Sequence, residues 1–208
     1  MSYYSPEAIV NRACARVGLE PLQSLTDDLP GGQGADLIYK GLISFLLGHY
    51  PWSFARTTRQ LSKLHGVTAF AGYRNVFQLP PDRLGPPQKL TISPRDPDST
   101  FTDFTPEEDK VHADVPELYA LIPYFARPDM WSAAFMEAAT LALAAELVMA
   151  IASREKKRDA LRRDVYGTPQ ENMRGGLIGV AIQAEAQGTP SKKLKLRGNP
   201  LTQHFQGG

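Results

Sequence analysis

The stretch from Trp131 to Ser153 constrains this chain more than any other. It is rich in alanine, leucine and methionine, and from Ala138 to Ala152 Glu146 is the one charged residue in the apolar run. Such a run falls short of the ~20 apolar residues that cross a bilayer, so it predicts a helix buried inside protein. Alanine density lets neighbouring helices approach closely, which suits the centre of a helical bundle. Asp129 is the expected cap of this helix. The rest of the chain must supply elements that cover it.

Two helices near the start are expected to do so. Ser5 can cap the first, Pro6 fits its first turn, Glu7 favours the positive end and Gly18 stops it. Ile9, Val10, Ala13, Cys14 and Val17 then share one face. A polar connector with turn residues Asp27, Asp28, Pro30, Gly31 and Gly32 leads to a second helix, about 35–49, with Leu37, Ile38, Leu42, Phe45 and Leu46 as its apolar positions. Pro51 pushes Tyr50 out of helical geometry and ends it. The N-terminus lacks a basic start and an apolar core, so a signal peptide is not expected.

From Trp52 the texture changes. Residues 52–61 and 73–79 have the aromatic and β-branched content of strands, the second closed by Pro80-Pro81, and 89–93 can add a third. Residues 96–117 carry Asp96, Asp98, Asp103, Glu107, Glu108, Asp109, Asp114 and Glu117 against Lys110 alone, with prolines scattered through, and are expected to be exposed loop with room for one weak strand. Arg154, Lys156, Lys157, Arg158, Arg162 and Arg163 extend the long helix as a basic segment to Tyr166, and a glycine-weakened helix follows to about Gln187. The expected fold is therefore mainly α: a helical body over 1–187 with a small antiparallel β/loop insertion at about 52–125. A flexible C-terminal tail over 188–208 follows it.

Composition and spacing exclude several kinds of chemistry. The formal charge is +1, from 23 basic and 22 acidic residues, so no global field announces nucleic acid or a membrane surface. One cysteine, Cys14, allows no intramolecular disulfide and no cysteine-held metal. His49, His65, His112 and His204 fall in four separate segments, without the paired spacing of a metal site. Gly31-Gly32-Gln33-Gly34 precedes a helix, yet the lysine of a P-loop is missing. The acidic block lacks the rigid, dry setting that separates the pKa values of an acid/base pair. Arg154–Arg163 could touch phosphates, but interleaved acids and the lack of stacking aromatics count against sequence-specific DNA reading. No catalytic residue, cofactor or metal is expected.

One stretch is distinctive at residue level. His49-Tyr50-Pro51-Trp52-Ser53-Phe54-Ala55-Arg56, and later Phe77-Gln78-Leu79-Pro80-Pro81-Asp82-Arg83-Leu84, resemble phage head-to-tail adaptor proteins. That group includes the tail tubular protein A of short-tailed phages and adaptors of long-tailed phages and gene transfer agents. In those relatives a helix ends at a Pro-Trp-x-Phe-Ala-Arg-type segment and a strand ends in a Leu-Pro-x-Asp-x-Leu-type turn, which matches Pro51, Trp52, Phe54, Arg56, Leu79, Pro80, Asp82 and Leu84 here. Leu121–Phe125, Asp129–Trp131 and Phe135–Ala138 resemble the family's entry to its long helix. The acidic, proline-rich block departs from the family, which has a clean strand pair there.

The resemblance implies a structural virion protein of the neck, assembled in the host bacterial cytoplasm. It implies a ring of identical subunits, commonly twelvefold, between the portal protein and a downstream tail or stopper protein. Packaged DNA would pass through the lumen unread, and no membrane is involved. It further implies a C-terminal segment that docks on the portal, with Leu194, Leu196, Leu201 and Phe205 as apolar anchors and Lys192, Lys193, Lys195 and Arg197 as charged ones. The alternatives are another neck protein, such as a stopper or tail-completion protein, or a tail-associated cell-wall hydrolase. A regulator that binds nucleic acid through Arg154–Arg163 is a third.

Overall fold

The computed structural model describes residues 4–26, 29, 34–95 and 100–188. Five α-helices carry the first and last parts of the chain: α1 (Pro6–Val17), α2 (Ala35–His49), α3 (Ala133–Ala152), α4 (Glu155–Tyr166) and α5 (Gly176–Gly188). The ends of α1 are set by local chemistry. The Ser5 hydroxyl accepts from the Ala8 N–H at 3.1 Å, and Gly18 takes a left-handed conformation that returns its N–H to the last carbonyls. The α3 cap differs from expectation. Ser132, not Asp129, accepts from the Phe135 N–H at 3.3 Å, because Asp129 is caught in a separate single turn over Pro128–Met130.

All four other helices pack on α3. Its buried side chains point all round and five of the eleven are alanine, which lets neighbouring backbones come close. By length and composition α3 could cross a membrane, but here it is the hub of a protein core. The helix does not continue into the basic segment. Ser153 adopts a left-handed conformation (φ 49°) and closes α3, so α4 turns back against it. Lys157 Nζ donates to the Val17 carbonyl at 2.9 Å, placing a cation at the negative end of α1.

The expectation of a mainly α bundle with a small β element is overturned. Among the described residues between α2 and α3 lie seven strands in two antiparallel sheets, and these form a second hydrophobic core. They are β1 (Arg56–Gln60), β2 (Ser62–Leu64), β3 (Asn75–Gln78), β4 (Lys89–Thr91), β5 (Phe104–Glu107), β6 (Lys110–Ala113) and β7 (Tyr119–Pro123). One sheet has the order β1-β7-β4 and the other β2-β3-β6-β5. The chain crosses from one sheet to the other at Leu61, a buried residue whose N–H donates to the Leu118 carbonyl at 2.8 Å. Leu61, Phe77, Leu79, Leu90, Val111, Leu118 and Ile122 fill the space between the sheets.

The acidic block is largely this sheet rather than exposed loop. β5 and β6 form a hairpin turning at Glu108 (φ 53°) and Asp109, and Val111, His112 and Ala113 are buried. Acids and prolines masked the pattern because they sit where a sheet tolerates them. Glu107, Glu108 and Asp109 are exposed at the hairpin tip, and Pro106 lies on the edge strand β5, where a missing N–H breaks no inner ladder. Residues 96–99 of the block lie outside the described residues. The first strand is also shorter than expected, since Ser53–Ala55 form a single 3-10 turn before β1 begins.

Candidate interaction surfaces

The two stretches that carry the family resemblance come together at the junction of helices and sheets. Pro51 is exposed just beyond α2, and Trp52 is buried behind it, its indole N–H donating to the Leu46 carbonyl at 2.9 Å. The Trp52 ring lies 5.0 Å from Tyr50, 5.7 Å from the half-buried Phe54 and 4.9 Å from Phe135 at the start of α3. These aromatics bury area and lock the end of α2 to the start of α3. Arg56 opens β1 opposite Pro123, and the next residues lead directly into the sheet.

The second stretch meets residues that flank the first. Leu79 is buried and donates its N–H to the Asp109 carbonyl at 2.8 Å; Pro80 follows, half-buried. One Arg59 nitrogen donates to both Asp82 carboxylate oxygens, at 2.8 and 2.9 Å. The Leu84 N–H donates to the Pro123 carbonyl at 3.0 Å. A Cβ on Gly48 would lie 3.2 Å from the Leu84 carbonyl oxygen, so the lack of a side chain there lets the turn sit against α2. Beside this turn is a cleft of about 530 Å³, lined by Leu79, Arg83, Leu84, Pro86, Pro87 and Pro106, with Glu108 at its rim.

A second surface was not legible in the sequence. Leu37 and Phe45, expected on the inner stripe of α2, are 65% and 50% exposed, while Ala35, Tyr39, Ile43, Leu46 and Leu47 are buried. Nine of its fifteen residues are apolar, more than one narrow stripe can hold, so spacing did not choose the face; packing against α3 and α1 did. Between α2 and α4 runs a groove of about 600 Å³ with Leu42, Phe45, Tyr166 and Met173 among its walls and Glu146, Asp159, Arg162 and Arg163 among its charges. Arg162 pairs with Glu146 at 3.0 Å and lies over the Tyr166 ring. Burial, and then the Glu146 charge, push the Tyr166 phenol up to about 12.

The connector that ends this groove is held by Glu171. Its carboxylate accepts from the Thr168 N–H at 2.6 Å and the Thr168 hydroxyl at 2.8 Å, and those bonds hold it below the usual carboxylate range. Gly175 and Gly167 leave room for that carboxylate, since a Cβ at either would collide with it.

The remaining sequence candidates separate in space. Arg158 pairs with Asp159 and Arg162 with Glu146, whereas Arg154, Lys156 and Arg163 are exposed. Cys14 is buried in the helical core, and burial pushes its thiol up, away from reactivity. His49 packs against Phe45. His112 is 1% exposed; its Nδ1 accepts from the Phe70 N–H at 3.2 Å, so Nε2 carries the proton. Nε2 lies 3.1 Å from a Glu107 oxygen, but out of line for a hydrogen bond. Among the described residues no group of three or more His, Cys, Asp or Glu is placed to hold a metal ion. The tail residues Lys192, Lys193, Leu194, Lys195, Leu196, Arg197, Leu201 and Phe205 lie outside the described residues, as does the Gly31-Gly32-Gln33 turn. No protein-family model matches the chain, and no curated protein matches it.

Proposed function

We propose that this chain is a structural ring subunit, the head-to-tail adaptor that joins the portal of a tailed phage or phage-like particle to its tail and continues the DNA channel. The observation that carries the reading is the junction itself. Leu84, at the end of the second stretch that resembles adaptors, packs against the helical core that holds Trp52 and Ala55 of the first, while Leu79 lies in the sheet core. A ring subunit needs a rigid body with two distinct contact surfaces, because heterologous contacts between identical copies close into a ring. The exposed Leu37 and Phe45 of α2 support this, since a neighbouring subunit would cover them.

Function on this reading is geometry rather than turnover. The residues beyond Gly188 form the arm that docks on the portal, Leu194, Leu196, Leu201 and Phe205 entering apolar seats while Lys192, Lys193, Lys195 and Arg197 meet acidic ones. The test is negative-stain imaging of the full-length protein mixed with a portal protein from the same particle. The expected result is a ring capping the portal, lost on deletion of residues 189–208. A mixture in which portal and protein remain separate at micromolar concentration overturns the reading.

A further inference from the structure

We infer that the outer edge of β1, Arg56–Gln60, docks an extended, acid-rich segment of a partner polypeptide, which joins the β1-β7-β4 sheet as a further strand. The inference goes beyond the adaptor reading and stands apart from it, since it follows from backbone direction and local charge.

Backbone direction comes first. β1 has a strand neighbour on one side, β7. The Leu61 N–H donates to the Leu118 carbonyl at 2.8 Å, and the Ala55 carbonyl accepts from the Tyr124 N–H at 2.9 Å. Both residues thus face β7 and its flanks, and in an antiparallel ladder the direction alternates from one residue to the next. Arg56, Thr58 and Gln60 therefore turn N–H and carbonyl away from β7, to a side on which no strand pairs with β1 among the described residues. An incoming strand can take up those groups and leave the existing ladder intact.

The other sheet edges are blunted. In β4 the Leu90 carbonyl already accepts from the Phe101 N–H at 2.8 Å. β5 carries Pro106, which has no N–H to offer, and β2 is only three residues long. β1 runs for five residues without proline, and its paired threonines suit the pleat. Sheets guard their edges against chance pairing with short strands, prolines and covering segments. An edge of this length with none of the three suits pairing that is used.

Charge then selects the occupant. From Trp52 to His65 the chain carries Arg56, Arg59 and Lys63 and no acid. Asp82 holds Arg59, whereas Arg56 and Lys63 pair with no acid among the described residues. Thr57 and Arg59 lie opposite Ile122 and Ala120, which are buried, so Arg56, Thr58 and Gln60 share the outer face of the sheet. Thr58 and Gln60 are exposed there. Acids at alternate positions of an added strand stand beside Arg56 on that face, where opposite charges across a ladder favour pairing and like charges oppose it.

The probe is a short peptide of alternating glutamate and valine, titrated into the full-length protein while its backbone amides are followed by NMR. The Thr58 and Gln60 amides are expected to exchange quickly in the free protein and slowly once the peptide is bound. Thr58→Pro removes an outward N–H and none of the bonds to β7, and it is expected to weaken binding about tenfold, the scale of one or two ladder hydrogen bonds. N-methylation of alternate peptide residues is expected to give the same loss with the protein untouched. A lysine–valine peptide is expected to bind about threefold more weakly than the glutamate–valine one, and Arg56→Glu to reverse that preference. Equal binding of the N-methylated peptide overturns the proposal, as does no response of these amides at millimolar peptide. Equal binding of the lysine–valine peptide overturns the acidic occupant. Binding of a thymidine oligonucleotide in place of the peptide, indifferent to Thr58→Pro, assigns the strip to phosphates and overturns it too. So does protection of Thr58 and Gln60 that grows with protein concentration in the absence of peptide, which assigns the edge to a second copy.

Discussion

The helical half and the sheet half of this protein meet at Trp52, and they bury their side chains by different means. Around α3, packing depends on smallness: Ala138, Ala139, Ala142, Ala144 and Ala145 are buried, and neighbouring helices approach because nothing holds them apart. Between the sheets it depends on a few large groups, with Phe77, Leu118 and Ile122 filling a space that the strands enclose. The outer surfaces differ as well. The helical half leaves Leu37 and Phe45 of α2 in the open, whereas the sheet half exposes acids along its hairpin. Exposed apolar groups are not confined to the helical half: Phe70 and Ile92 on the sheet side are 58% and 51% exposed.

That contrast can be broken hardest at the junction. Trp52→Ala removes an indole packed against Tyr50, Phe54 and Phe135, and it is expected to cost about 3–5 kcal/mol in chemical denaturation. The loss is expected in the helical half, whose core holds this residue. Phe77→Ala carries a similar cost of about 3–5 kcal/mol, but confined to the sheets. Hydrogen exchange should then accelerate in β3, β6 and β7 while α3 keeps its protection. Uniform acceleration would mean that the two cores act as one unit.

Smaller effects separate the halves further. Gly176 sits at φ 56°, and a Cβ there would lie 2.6 Å from the Val165 carbonyl oxygen. Gly176→Ala should therefore cost roughly 1–3 kcal/mol, seen as a lower midpoint in thermal unfolding. Asp82→Ala, which removes the partner of Arg59 on the sheet side, should cost only about 0.2–1 kcal/mol, because the pair is largely exposed.

Acid is expected to weaken both halves. Glu171 in the helical half is held below its ordinary 4.5 by the Thr168 N–H and hydroxyl, and Asp109 in the sheet half below its ordinary 3.8 chiefly by the Gln78 amide. In each, the folded state binds its proton less readily than the unfolded chain. The stabilisation is thus present above those ordinary values and is lost as pH falls through the lowered folded ones. Glu171→Gln should flatten the first of these dependences in a stability titration and leave the second intact.

The helix ends were legible because their causes are local. Ser5, Pro6 and Gly18 act within one turn of the backbone they cap, and the alanine-rich run of α3 carries its own preference for burial. The face of α2 was not legible. When a helix carries more apolar residues than one stripe can hold, the surface it meets selects the stripe, and here that surface left Leu37 and Phe45 outside. The sheets were hidden for a related reason. Val111 and Ala113 are apolar neighbours in a block dominated by acids and prolines, and only pairing of β6 with β3 and β5 gives them an interior. The junction was half legible: Pro51–Arg56 and Leu79–Leu84 stood out as words, but their contact did not. The sequence by itself determined the helix ends and the buried hub. The tertiary structure decided which faces are inside, because burial and strand pairing depend on residues distant along the chain.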